Sequence, residues 1–249
     1  MDTSAQYGQM NMNLPHDVVE LPSKGIFYKT KKSSLKIGYL TAMDENTLIS
    51  NLKGDQIINN ILRQKIYEPG FNVDELIDCD VQAILIFLRN TAFGPDYIVR
   101  LIDPKTRQEF EATVRLDELN VVDPIHTSTD GFFTTTLPKS QSTVKLKVLN
   151  QGHQKELDKF IASYPKGMNA PVVTKKLEMQ IVEIDGDGNR EKIATFIPQL
   201  PIADSKHIKN FLAECEPRLD LRKTAIAPSG DPVDFTIGFG AEFFRPFYS

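Results

Sequence analysis

A chain of 249 residues with 41% hydrophobic and 25% charged side chains can bury an ordinary core, which excludes a disordered polymer and a fibrous repeat. Its net charge of −4, with Lys and Arg scattered, offers no basic stripe to a phosphate backbone, so nucleic acid is not an expected partner. No stretch approaches the roughly 20 apolar residues of a membrane span, and Cys79 and Cys215, far apart in amphipathic stretches, predict reduced thiols packed as small hydrophobes.

Residues 1–20 are rich in Gln, Asn, Met and Asp without apolar periodicity, which predicts a flexible arm. LPSKGIFY (21–28) predicts a turn at Pro22 and Gly25 followed by an extended segment, and LKIGYL (35–40) a short strand. Asp44 and Glu45 open a helix carrying Leu48 and Leu52. A second helix places Ile57, Ile58, Ile61, Leu62 and Ile66 on one stripe before Pro69 and Gly70. Over 74–94 the pattern predicts a helix with Asp80 as N-cap and Val81, Ile84, Leu85 and Leu88 on one face. YIVRLI (97–102) and FEATVRL (110–116) read as a hairpin with one wet face. VKLKVL (144–149) predicts a strand before a helix near 153–163. LEMQIVEI and KIATFI predict a second hairpin around DGDGNRE, and DSKHIKNFLAEC (204–215) a helix.

An internal echo runs through these elements. STVKLKVL (142–149) repeats the character of SSLKIGYL (33–40), setting Leu48 against Leu157 and Leu52 against Ile161. Asp80, Ile84, Phe87 and Leu88 recur as Asp204, Ile208, Phe211 and Leu212. The expected fold is α+β, in two strand–helix–helix halves, 21–125 and 126–249, with inserted β-hairpins; ancestry by duplication competes with chance recurrence of a common unit.

Reactive motifs are sparse. Asp185, Asp187 and Asn189 mimic the start of a calcium loop, but Arg190 stands at its sixth position and Phe196 at its twelfth, so a tight turn is expected. His16, His126, His153 and His207 lack ligand spacing, and Asp74, Glu75, Asp78 and Asp80 read as helix-start acids. No metal, cofactor or catalytic residue is therefore expected. The C-terminal FTIGFGAEFFRPFYS carries six aromatic rings in 15 residues, too many for one face of a short strand. Core burial accounts for most of them, while Phe243, Phe244, Arg245, Phe247 and Tyr248 are the candidate partner-binding residues, as aromatics and Arg bind with little entropy loss.

Taken in order, LPSKG-x-x-Y (21–28), YLTAMDENTL (39–48), the DELIDCD-to-LRNTAFGPDY run (74–97), GFFTTTLPKS (131–140), LDLR (219–222) and the terminal FFRPF resemble the baseplate-hub assembly proteins of T-even-type contractile-tailed bacteriophages. The resemblance implies a non-enzymatic factor in the host bacterial cytoplasm that promotes assembly of the central tail hub through contacts with other hub proteins. The alternatives are a permanent baseplate component and, third, a diverged enzyme. The cysteine pairs that a metal ribbon in such relatives would need have no counterpart in 98–107 or 224–235, so no zinc role is carried over.

Overall fold

In a computed structural model describing residues 15–48, 54–165 and 167–244, pairing starts inside the segment expected to be a mobile arm. His16–Glu20 (β1) lies antiparallel to Ser34–Gly38 (β2), with Val19 opposite Leu35. One half-buried valine in a polar segment suffices once a strand with Leu35 and Ile37 in the core offers an edge. Residues 1–14 lie outside the described part. The stretch 22–28 is not extended but a run of turns, with Lys24 and Gly25 at positive φ. A Cβ on Gly25 would stand 2.4 Å from the Lys32 carbonyl oxygen, so glycine is required there.

Ala42–Leu48 (α1) is capped by Asp44, whose carboxylate accepts from Thr41 N–H and Oγ1 at 2.7 Å each. The proposed pairing of Leu52 with Ile161 lies partly outside the described residues. Gly54–Lys65 (α2) buries Ile57, Ile61 and Leu62. Asp78–Phe93 (α3) has Ile77 at its N-cap, which corrects the expectation for Asp80: that residue sits inside the first turn, wholly buried. Asp96–Ile102 (β3) and Glu109–Arg115 (β4) form the expected hairpin.

Val121–Val122 (β5) crosses to Arg218–Leu219 (β9). Phe132–Thr136 (β6) and Thr143–Lys147 (β7) form a hairpin, Gln151–Ala162 (α4) follows, and Val172–Gln180 (α5) runs into Ile181–Ile184 (β8), third strand of the β6-β7-β8 sheet. The expected hairpin around DGDGNRE does not form. Asn189 accepts from the N–H groups of Glu191 and Lys192 and opens a helix, Arg190–Phe196 (α6), with Ile193 and Ile197 inward. Ile202–Cys215 (α7) and the hairpin Arg222–Ile226 (β10) with Pro232–Thr236 (β11) complete the α+β fold, followed by a 3₁₀ turn at Ala241–Phe244.

The echo has a structural form. An offset of 109 carries Ser34, first in β2, onto Thr143, first in β7, and Ala42 of α1 onto Gln151 of α4; an offset of 124 carries Asp78 of α3 onto Ile202 of α7. In both halves a Leu-Pro pair closes the first hairpin: Leu21 N–H donates to Ser33 (2.8 Å) and Leu137 N–H to Ser142 (2.9 Å). In both, a buried helix aspartate reaches back to that turn. Asp80 accepts from Ser23 N–H at 2.9 Å, and Asp204 from Lys139 and Ser140 N–H at 2.7 and 2.8 Å.

The cores do not respect the expected division near 126. One cluster joins β2, α2 and α3 to Leu219, Ile237, Phe243 and Phe244 from the far end of the chain. The other centres on β6, β7 and α7 but includes Ile77 and Cys79.

Candidate functional site

The aromatic tail is placed differently from expectation. An extended backbone would send neighbouring side chains to opposite sides, but Ala241–Phe244 is a 3₁₀ turn, and it buries both Phe243 (0% exposed) and Phe244 (1%). Phe243 packs against Tyr97 and Phe239, with centroids 5.3 and 4.9 Å apart. As partner-binding candidates these two rings are corrected to core residues, and Arg245, Phe247 and Tyr248 lie outside the described residues.

Exposed apolar side chains lie elsewhere, scattered from Val18 to Ile226 with Ile202 the most exposed, and three of them, Ile98, Ile102 and Ile226, sit on the two long hairpins. Both β3–β4 and β10–β11 alternate exposed and half-buried positions, so each has one packed and one solvent face. Their tips are tied. The Asp103 carboxylate accepts from Lys105 and Thr106 N–H at its own turn and from Ser229 N–H (3.0 Å) of the other, and Lys105 pairs with Asp231 at 2.9 Å. Burial opposes ionisation of Asp103, yet these donors hold it down at about 2. Beside the tie, Ile98 (57%), Ile102 (57%) and Ile226 (68%) point outward, bordered by the Arg100–Glu111 and Arg222–Asp234 pairs. Ile98 and Ile102 stand in the predicted strand YIVRLI and Ile226 outside it; only the Asp-Pro turn at 103–104 signals the tie.

Between the halves lies a cleft of about 810 Å³, walled by Phe27, Lys29 and Glu75 on one side and Phe132, Lys147 and His153 on the other. Its nearest approach to reactive chemistry is Lys147 Nζ, 3.0 Å from His153 Nε2. Burial and then Lys147 lower the His153 pKa; burial and then Arg190 lower that of Lys147. His153 Nδ1 accepts from Asn150 N–H at 3.2 Å as half of the α4 capping box, which fixes the ring to the helix start.

Several other titratable residues are engaged in structure. Asp80 also accepts from the hydroxyls of Ser23 and Tyr28. His126 meets Glu214 (3.3 Å) and His207 meets Thr135 (3.0 Å). Within the calcium-like loop, Asp187 pairs with Lys192 (2.6 Å) and Asp185 accepts from Thr143 N–H (2.8 Å). Burial raises the thiols of Cys79 and Cys215, the latter to about 12, so both are weak nucleophiles. Burial, then Asp78, pushes Glu216 up to about 7. Among the described residues, no helix is long and apolar enough to cross a membrane. Comparison with protein-family models, with curated proteins and with solved structures finds no match.

Proposed function

We propose that the chain is a non-enzymatic assembly factor that brings together proteins of the central hub of a contractile phage-tail baseplate, in the host bacterial cytoplasm. The observation that carries the binding reading is the tied hairpin pair: one hairpin from each half, locked tip to tip through Asp103, holding Ile98, Ile102 and Ile226 out in solvent. A rigid scaffold carrying apolar side chains among ion pairs suits transient protein contacts, since little order is lost on binding. Templating needs no covalent step, because holding partners in productive geometry lowers the barrier to their association. The resemblance of the ordered segments from LPSKG to FFRPF supplies the hub as the destination.

The test is the double variant Ile98→Asp/Ile226→Asp. It should keep its thermal midpoint within about 2 °C, as exposed changes do, and should fail to complement a phage lacking its hub-assembly factor or to co-purify with hub proteins from infected cells. Full complementation by this folded variant overturns the reading. Mass spectrometry of purified virions separates a departing factor from a permanent baseplate component.

A further inference from the structure

The cleft between the halves holds two hydrogen-bond donors that face each other. His153 Nδ1 accepts from Asn150 N–H, so the neutral ring carries its proton on Nε2, and a second ring proton would meet that N–H head-on. Lys147 Nζ stands 3.0 Å from Nε2, and an ammonium offers only donors. Among the described residues, neither donor has an acceptor, and no carboxylate lies within ion-pair distance of Lys147. A deprotonated Lys147 would satisfy the contact. An oxygen atom about 2.9 Å from both nitrogens satisfies it with the lysine in its ordinary charged form.

The walls of the cleft do not supply that oxygen, because each of its four acids already has a donor. Asp74 takes Lys155 (2.5 Å) and Arg63 (2.9 Å), Glu75 takes Lys29 N–H (3.4 Å), Asp130 takes Ser128 Oγ (2.8 Å), and Glu156 takes Lys175 (3.3 Å). Of the charges around Lys147, Arg190 on α6 opposes its protonation and Glu156 on α4 favours it. The start of α4 is spent as well: Gln151 N–H donates to the Leu76 carbonyl (2.9 Å) and His153 N–H to the Asn150 side chain (3.0 Å).

The donors sit in a braced and partly aromatic setting. Lys155 to Asp74, Gln151 to Leu76 and Lys31 Nζ to the Thr129 carbonyl (3.3 Å) all cross between the halves, so the cleft is formed before any ligand arrives. Phe132 lies opposite Lys147 in the β6–β7 register, its ring exposed and carrying Lys145 Nζ 5.1 Å from its centroid. Phe27 stands in the other wall.

We propose that this cleft binds a small organic oxyanion, a carboxylate or phosphate monoester on a flat apolar body, with one oxygen held by Lys147 Nζ and His153 Nε2 and the body against Phe132. A charged and a neutral donor converging on one oxygen make a charge-assisted site, and the ring supplies the apolar contact. The inference stands apart from the assembly reading.

The probe is phenyl phosphate, titrated into the isotope-labelled full-length chain beside inorganic phosphate. Saturable shifts of the His153 ring and of the Phe132 and Gly152 amides are expected, with phenyl phosphate binding the more tightly. Lys147→Met should weaken binding by about tenfold or more. His153→Glu keeps an acceptor for Asn150 N–H, so the helix cap survives, but it sets a negative charge at the site and should abolish binding. His153→Gln keeps both the cap and an N–H donor and should retain most of it. Thermal midpoints within about 2 °C of the parent show that these variants fold. Shifts centred on other lysines, affinity indifferent to Lys147→Met, or inorganic phosphate binding as tightly as phenyl phosphate overturn the proposal. So does the lack of saturable binding up to about 10 mM. None of these outcomes touches the assembly reading, which is tested through Ile98 and Ile226.

Discussion

The clamps of the two halves solve one packing problem with different electrostatics. Asp204 accepts two main-chain N–H groups and a link to Ser140, and although burial opposes it, these donors hold its pKa below the ordinary value. Asp80 is as deeply buried, and there burial prevails, keeping its pKa raised despite the hydroxyls of Ser23 and Tyr28. A turn longer by seven residues in the first half brings in Tyr28, whose ring meets Phe71 edge-on while its hydroxyl joins the clamp. Main-chain donors stabilise a charge; a hydroxyl cage in an apolar wall tolerates a proton.

The largest way to break the comparison lies at the far terminus, because the first core depends on rings from the second half. Phe243→Ala should cost about 3–5 kcal/mol in urea unfolding, as for a fully enclosed Phe. A loss under about 1 kcal/mol would mean that the tail is peripheral. Next, Asp80→Ala strands one N–H and two hydroxyls, so about 3 kcal/mol is expected, against about 1–2 kcal/mol for Asp204→Ala. Their pH dependence sharpens the contrast. The Asp204 contribution is present above the unfolded carboxylate value and is lost as pH falls through its lower folded value. That of Asp80 is present below the unfolded value and declines as pH rises through its raised folded value. The destabilisation by Asp204→Asn should thus shrink on acidification below about pH 4, and that by Asp80→Asn should not.

Glu216, just past α7, has a raised folded pKa, so its contribution declines as pH climbs from about 4.5 through about 7. Glu216→Gln should stabilise the protein by about 1–3 kcal/mol at pH 8 and by little at pH 4. A thermal midpoint that gains equally at both pH values would assign the effect to packing instead. The smallest effect belongs to the hairpin surface: Ile98→Ser or Ile226→Ser alone should shift stability by no more than about 0.5 kcal/mol, measured by chemical denaturation.

The α+β class, α2, α3, α7 and the β3–β4 hairpin were legible because each carries a sustained period of apolar residues. The segment 172–196 was not. LEMQIVEI straddles a helix end and a strand, and KIATFI alternates well enough to pass for a strand until Asn189 is seen capping its start. Asp80 stands out in the sequence but its task does not, since a cap and a long-range clamp both place an acid in the first turn. The placement of the tail is not legible because it depends on backbone geometry: two adjacent rings can both face inward only if the backbone leaves the extended state. Sequence showed that the 97–116 hairpin has one wet face, but not the tie between the tips, which joins residues 126 positions apart.

Most strand pairs join neighbours in the chain, and such contacts form early because little loop entropy is lost. The first core breaks that pattern by drawing Leu219, Ile237, Phe243 and Phe244 into a nest built by residues 21–116. During synthesis the helices of the first half therefore emerge with an open apolar socket and must wait for the closing residues. Until Phe243 and Phe244 emerge, that socket is exposed to whatever else is nearby, so a chain cut short before Phe243 should be cleared by proteases rather than persist as a folded half.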